Sequence, residues 1–174
     1  MLPLTDFDMK IDLAILREAL RINGQKADQE EGSLLGENPF LNITLRKIII
    51  PSKFLLYVPN LINLTWAFVD GLLLGRRKEN FFWDLWTVVL SDNQDETIGT
   101  VILPQFDNKN ASMILSLLGK DIKIRAGSLT FVVCPKDRCE IAYKLNAGKI
   151  LGKKEAAIEV YGGRLGLIID GRGE

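Results

Sequence analysis

The sequence contains no histidine. That absence removes Ser-His-Asp triads, Cys-His dyads, imidazole metal ligands and histidine acid–base chemistry in one step. Cysteine is nearly as scarce, with only Cys134 and Cys139. Two cysteines make no disulfide framework, and without histidine they cannot complete a four-ligand zinc site. Four residues separate them where redox motifs place two, so a hairpin tip with incidental thiols is expected. Net charge is missing as well: Lys plus Arg and Asp plus Glu each count 22. Without a global electrostatic footprint, neither nucleic acid nor an anionic membrane is an expected partner. Long apolar runs are also lacking. The longest uncharged stretch, Phe54 to Val69, is interrupted by Pro59, Asn60 and Asn63. A spanning helix needs about 20 mostly apolar residues, so membrane insertion is not expected. Met1 to Asp6 carries no basic segment followed by an apolar one. No signal peptide is therefore expected, and the expected compartment is the cytoplasm.

What is present is ordinary for a globular chain: 174 residues, 47% hydrophobic and 25% charged. At roughly 150 residues per domain this predicts one body with a small appendage. Residues 5–22 read as a helix, with Thr5 as N-cap and Asp6 and Asp8 in the first turn. Leu4, Phe7, Ile11, Ile15, Ala19 and Ile22 fall on one face, and Asn23-Gly24 is the predicted stop. Packing of that face on the chain's own body is the ordinary expectation, and docking on a partner the alternative. The organisation expected is a helix over 1–24, a flexible polar linker over 25–39 and a β-rich domain over 40–174.

From Phe40 onward short strand-like runs follow one another. Ile43–Ile50, Phe54–Val58, Leu61–Val69, Trp86–Leu90 and Thr97–Leu103 are read as strands. So are Asp121–Ala126, Leu129–Cys134, Glu140–Leu145, Ala156–Tyr161 and Leu165–Ile169. Asn110 to Leu118 reads as a short helix ended by Gly119. Strands at this spacing predict a mainly β fold, a barrel-like sandwich with an N-terminal α-helix and one short internal helix.

The candidate chemical motifs resolve into turns. Gly148-Lys149-Ile150-Leu151-Gly152-Lys153-Lys154 has the wrong glycine interval for a phosphate loop, and Lys154 replaces the magnesium-binding Ser or Thr. Gly162-Gly163-Arg164-Leu165-Gly166 has the wrong first interval for a dinucleotide fingerprint. Asp92, Asp95 and Glu96 lack the alternate spacing of a calcium loop. Arg76-Arg77-Lys78, followed by Phe81, Phe82, Trp83 and Trp86, is either a charged loop before core aromatics or a partner contact. No catalytic, cofactor-binding or metal-binding residues are assigned, and no enzymatic activity or cofactor is expected. The candidate partner-binding residues are Phe7, Ile11, Ile15, Arg76, Arg77, Phe81, Phe82, Trp83, Asp170 and Arg172.

The C-terminal third carries a resemblance. Gly127-Ser128-Leu129 opens a strand, Pro135 follows, and the segment closes with Glu159-Val160-Tyr161-Gly162-Gly163-Arg164-Leu165-Gly166-Leu167-Ile168-Ile169-Asp170-Gly171-Arg172-Gly173. This resembles the C-terminal tail of the MutL-type accessory proteins of cobalamin-dependent glutamate mutase. Upstream, Ile50-Pro51 to Val58 and Val69 to Arg76 resemble the repeated strands of a sandwich-barrel hybrid. Members of the accessory family are long and carry an actin-like ATPase region that has no counterpart here. The resemblance therefore implies an accessory, non-catalytic interaction domain, similar to a detached C-terminal module. Its implied partner is an actin-like ATPase or a cobalamin enzyme. Two alternatives stand beside it: an oligomeric structural protein assembled through the apolar 54–74 region, and a small-molecule-binding β-barrel.

Overall fold

The computed structural model describes residues 5–34, 46–56, 58, 60–71, 85–91, 96–134 and 137–172. The chain divides into two compact units, Met1–Thr44 with Ser52–Leu74, and Leu45–Pro51 with Gly75–Glu174. The first is helical and the second is built of strands. The protein is mainly β, with an N-terminal helix and one short internal helix.

In the helical unit, α1 spans Asp6–Leu34 and α2 spans Leu61–Gly71, with a 3-10 turn at Ser52–Leu56. A capping box starts α1: the Asp8 amide donates to Thr5 Oγ1 at 3.1 Å, and the Thr5 amide donates to Asp8 Oδ2 at 3.0 Å. The helix does not stop at Asn23-Gly24. Asn23 Nδ2 donates to the Ala19 carbonyl at 2.8 Å inside the helix, and the following Gln, Lys, Ala and Glu are good helix formers. Residues 25–34 of the expected linker are therefore helical, and residues 35–39 lie outside the described residues.

The runs Phe54–Val58 and Leu61–Val69 are not strands. Asn60 caps α2, its Oδ1 accepting from the amides of Ile62 at 3.0 Å and Asn63 at 3.2 Å. Leu64, Thr65, Ala67, Phe68 and Val69 are buried at helical spacing. Phe54 and Phe68 meet edge to face at 6.3 Å. Of the sandwich-barrel-hybrid strands expected at 50–58 and 69–76, Ile50 and Pro51 are in a strand, 52–56 and 69–71 are helical, and 57 and 72–76 lie outside the described residues.

In the β unit, a five-stranded mixed sheet has the order β1-β2-β3-β11-β7. Its strands are β1 (Arg46–Pro51), β2 (Leu85–Ser91), β3 (Glu96–Ile102), β7 (Leu129–Val132) and β11 (Gly166–Asp170). The β1–β2 and β3–β11 pairs are parallel, and the other two are antiparallel. A four-stranded antiparallel sheet has the order β10-β8-β5-β6, from Glu155–Tyr161, Arg138–Leu145, Ser112–Leu117 and Lys120–Arg125. A small ribbon joins β4 (Gln105–Phe106) to β9 (Gly148–Lys149).

The two larger sheets share one core. Leu85, Ile102, Val132, Leu167 and Ile169 from the first meet Met113, Leu115, Ile124, Ile141 and Tyr143 from the second. This is a sandwich, and the sheets do not close into a barrel. Alternation along Arg138–Leu145 puts every second side chain inside, as period 2 requires. Thr100 Oγ1 ties the layers together. It donates to the Tyr161 carbonyl at 2.9 Å and accepts from the Tyr161 amide at 3.0 Å. The short helix expected at Asn110–Leu118 is instead β5. Met113, Leu115 and Leu117 point inward while Ile114 is exposed. Gly119 does not cap a helix. With Leu118 it makes the two-residue turn into β6, both at positive φ (75° and 52°).

Candidate interaction surface

The α1 helix carries two apolar stripes. At about 100° per residue, Met9, Leu13, Leu16 and Leu20 fall within an arc of roughly 60°. All four are half-buried. This is the side that meets α2. A Cβ placed on Gly71 would stand 2.8 Å from the Leu20 Cβ and 2.7 Å from the Arg17 carbonyl oxygen. Glycine is what lets the two helices approach there. Arg17 Nη1 reaches Asp70 Oδ2 at 3.3 Å across the same contact.

The second stripe lies on the opposite side. Phe7, Ile11, Ile15 and Ile22 fall within about 80° of arc. They are 70%, 42%, 62% and 43% exposed. Within the helical unit the stripe that meets α2 is Met9–Leu20, which the sequence reading overlooked, and not the face named from the sequence. A surface helix of a globular protein ordinarily shows one apolar stripe and a polar remainder. By the same count Glu18 falls inside this arc between Ile15 and Ile22, so the stripe is continuous only over Phe7–Ile15, and Arg21 at its border donates to Glu18 through Nε and Nη2. That bond to Arg21 holds the Glu18 carboxyl below the usual carboxylate range.

The other candidates sort differently. Arg76, Arg77, Phe81, Phe82 and Trp83 lie outside the described residues. Asp170 and Arg172 do come together, but as a pair with each other. Asp170 is buried at the end of β11 and receives two guanidinium hydrogen bonds from Arg172. Cys134 and Cys139 are not incidental thiols. Both are buried and they are joined as a disulfide, with Cα atoms 7.0 Å apart. The signal missed was geometric: β7 and β8 belong to different sheets, and the loop between them brings the two cysteines together at their ends.

Both glycine-rich runs are turns. Ile150 and Lys153 exchange backbone hydrogen bonds at 2.9 Å around Leu151 and Gly152. The Gly163 amide donates to the Cys134 carbonyl at 2.9 Å. Asp92 and Asp95 lie outside the described residues, and Glu96 faces Arg164 at 3.4 Å. Among the described residues, no three acidic, Cys or His side chains gather as a metal site, and no helix is long and apolar enough to cross a membrane. No protein-family model, curated protein or solved structure matches the chain.

Proposed function

We propose that this chain is a non-catalytic interaction module that docks on a larger protein through the open stripe of α1. The observation that carries the reading is that α1 is apolar on two opposite sides and α2 covers only one. A stripe of Phe and Ile at i, i+4 and i+8 is the pattern by which an amphipathic helix enters an apolar groove. The non-catalytic part rests on the missing histidine and on glycine runs that form a tight turn at Ile150–Lys153 and a crossing between the two sheets at Gly162–Gly166 rather than ligand loops. The C-terminal resemblance supports an accessory role beside an actin-like ATPase or a cobalamin enzyme. The test is affinity capture with the Phe7→Ser/Ile11→Ser/Ile15→Ser variant, matched to wild type by far-UV circular dichroism. The reading requires one protein held stoichiometrically by wild type and lost by the variant. Equal recovery by both, or bait alone from both, contradicts it.

A second reading has its own observation. Within the apolar 54–74 region, Leu56, Ile62 and Trp66 are 74%, 45% and 39% exposed. A second copy docking there makes the chain an oligomeric structural protein. Sedimentation velocity over a concentration series decides it, since a concentration-independent monomer excludes this reading.

A further inference from the structure

The zero net charge of the chain conceals a local concentration of cations at one end of the β unit. Lys144, Ile114 and Lys123 face one another across β8, β5 and β6, all on the exposed side of the four-stranded sheet. One row further, Ser112 is opposite Arg125 and exchanges hydrogen bonds with Asn146, while the Leu145 amide donates to the Lys154 carbonyl at 2.9 Å. Lys154, Asn146, Ser112 and Arg125 therefore line the ends of four adjacent strands, a span of about 14 Å at roughly 4.8 Å per step. The Ile150–Lys153 hairpin adds Lys153, and the β4–β9 ribbon adds Lys149. The turn holding Lys109 joins this end through the Ala126 amide, which donates to the Ala111 carbonyl. The acids here are few. Glu155 is paired with Lys144 at 3.1 Å, Asp170 is buried against Arg172, and Asp107 is exposed. At the other end of the sheet Glu140 and Glu159 are direct partners with exposed Asp121 nearby in the register, and the cations there are Arg138, paired with Glu159 at 3.1 Å, and exposed Lys120.

Two exposed apolar side chains sit among these cations. Ile114, 44% exposed, lies between Lys123 and Lys144. Leu151, 38% exposed, lies between Lys149 and Lys153 at a positive φ of 50°. Leucine at positive φ is disfavoured by about 1–2 kcal/mol, and glycine or asparagine would relieve it.

We propose that this basic end of the β unit is a second docking surface, for an acidic protein segment that carries apolar side chains. The chemistry of the surface selects among polyanions. Among the described residues the aromatics near this end are half-buried Phe106 in the β4–β9 ribbon and Phe131, 37% exposed on the five-stranded sheet, two separate rings that make no continuous stacking platform for single-stranded nucleic acid. The cations are lysines apart from Arg125 and Arg172, and the Arg172 guanidinium is engaged by Asp170, so the bidentate forks open to phosphate are few. The apolar pair does not share one face. Ile114 is on the outer side of the sheet, whereas the Leu151 hairpin is tied to the inner side by Tyr143, whose hydroxyl donates to the Ile150 carbonyl at 2.8 Å. A flexible peptide follows such a turn, and a flat bilayer does not.

The test is fluorescence anisotropy on the full chain with a labelled peptide of interspersed Glu and Leu. A Gln-for-Glu peptide, phosphatidylserine vesicles and a DNA duplex are the comparison probes. The proposal requires binding to the Glu peptide that weakens as salt is raised. The Lys149→Glu/Lys153→Glu/Lys154→Glu variant should lose affinity by about tenfold, as three weakened ion pairs imply. Ile114→Ser should also weaken binding, and Glu140→Lys/Glu159→Lys at the far end should not. All these positions are exposed, and each variant is compared with wild type by circular dichroism before binding is read. Equal binding of the Gln peptide, tighter binding to vesicles or DNA, or no binding to any probe overturns the proposal. None of these outcomes bears on the α1 stripe.

Discussion

Arg172 closes on Asp170 from two residues away, Nε on Oδ1 at 2.8 Å and Nη2 on Oδ2 at 3.0 Å, while its own amide donates to Oδ1 at 3.1 Å. The carboxylate is 3% exposed and the guanidinium 26%. Removing one member leaves a buried charge without its partner. Arg172→Ala should therefore destabilise the fold by about 2–4 kcal/mol, at or below the range for broken buried pairs because Arg172 is part-exposed. Urea unfolding measures this, and a change under about 0.5 kcal/mol would show that the pair contributes little beyond an ordinary surface pair.

The turn between β5 and β6 holds a strained residue. Leu118 is 58% exposed and sits at φ 52° before Gly119. Leu118→Asn should raise the unfolding midpoint, with a gain of about 1 kcal/mol, because asparagine tolerates this conformation. A lower midpoint would mean that the leucine makes a contact worth more than the strain.

Gly166 opens β11 at φ 74°, and a Cβ there would lie 2.4 Å from the Val132 carbonyl oxygen. Both the conformation and the space exclude a side chain. Gly166→Ala should cost about 2–3 kcal/mol or prevent folding of the β unit, in line with the strain expected at such positions. A variant as stable as wild type would contradict the packing of β11 against β7.

Cys134 and Cys139 are the two thiols of the chain, and the structure joins them. Protein purified without reductant should show no free thiol when denatured. Reduction should lower stability by about 2 kcal/mol, the chain-entropy value for so short a loop. Two titratable thiols in the oxidised preparation would contradict the pairing.

The legibility of the fold follows from these particulars. Strands that alternate strictly, such as Arg138–Leu145, were readable because period 2 separates core from solvent. Leu61–Val69 was misread because a short apolar run buried on most sides has no diagnostic period. The one decisive signal was Asn60, a capping residue that the preceding proline disguised as a turn. Ser112–Leu117 was misread in the opposite direction, since Leu118-Gly119 imitates a helix stop while forming a hairpin turn. On α1 the open stripe was visible in the spacing of Phe7, Ile11 and Ile15. Its exposure was not, because exposure depends on which stripe α2 selects, and Gly71 beside Leu20 makes that choice. Asp170 and Arg172 were named from the sequence as candidates for a partner, and their closure on each other was not the expectation set there. The cysteine pair was not legible, because it depends on two strands from different sheets.

The measurement that tests the central claim most directly is site-specific photo-crosslinking in native-source extract. A benzophenone side chain is placed at Phe7 or at Ile15, both exposed on the open stripe, and at Glu140 on the β unit as the reference. The account predicts that the same single protein is captured from positions 7 and 15 and is absent from position 140. Absence of any adduct at 7 and 15, or an identical set of adducts at all three, would contradict it.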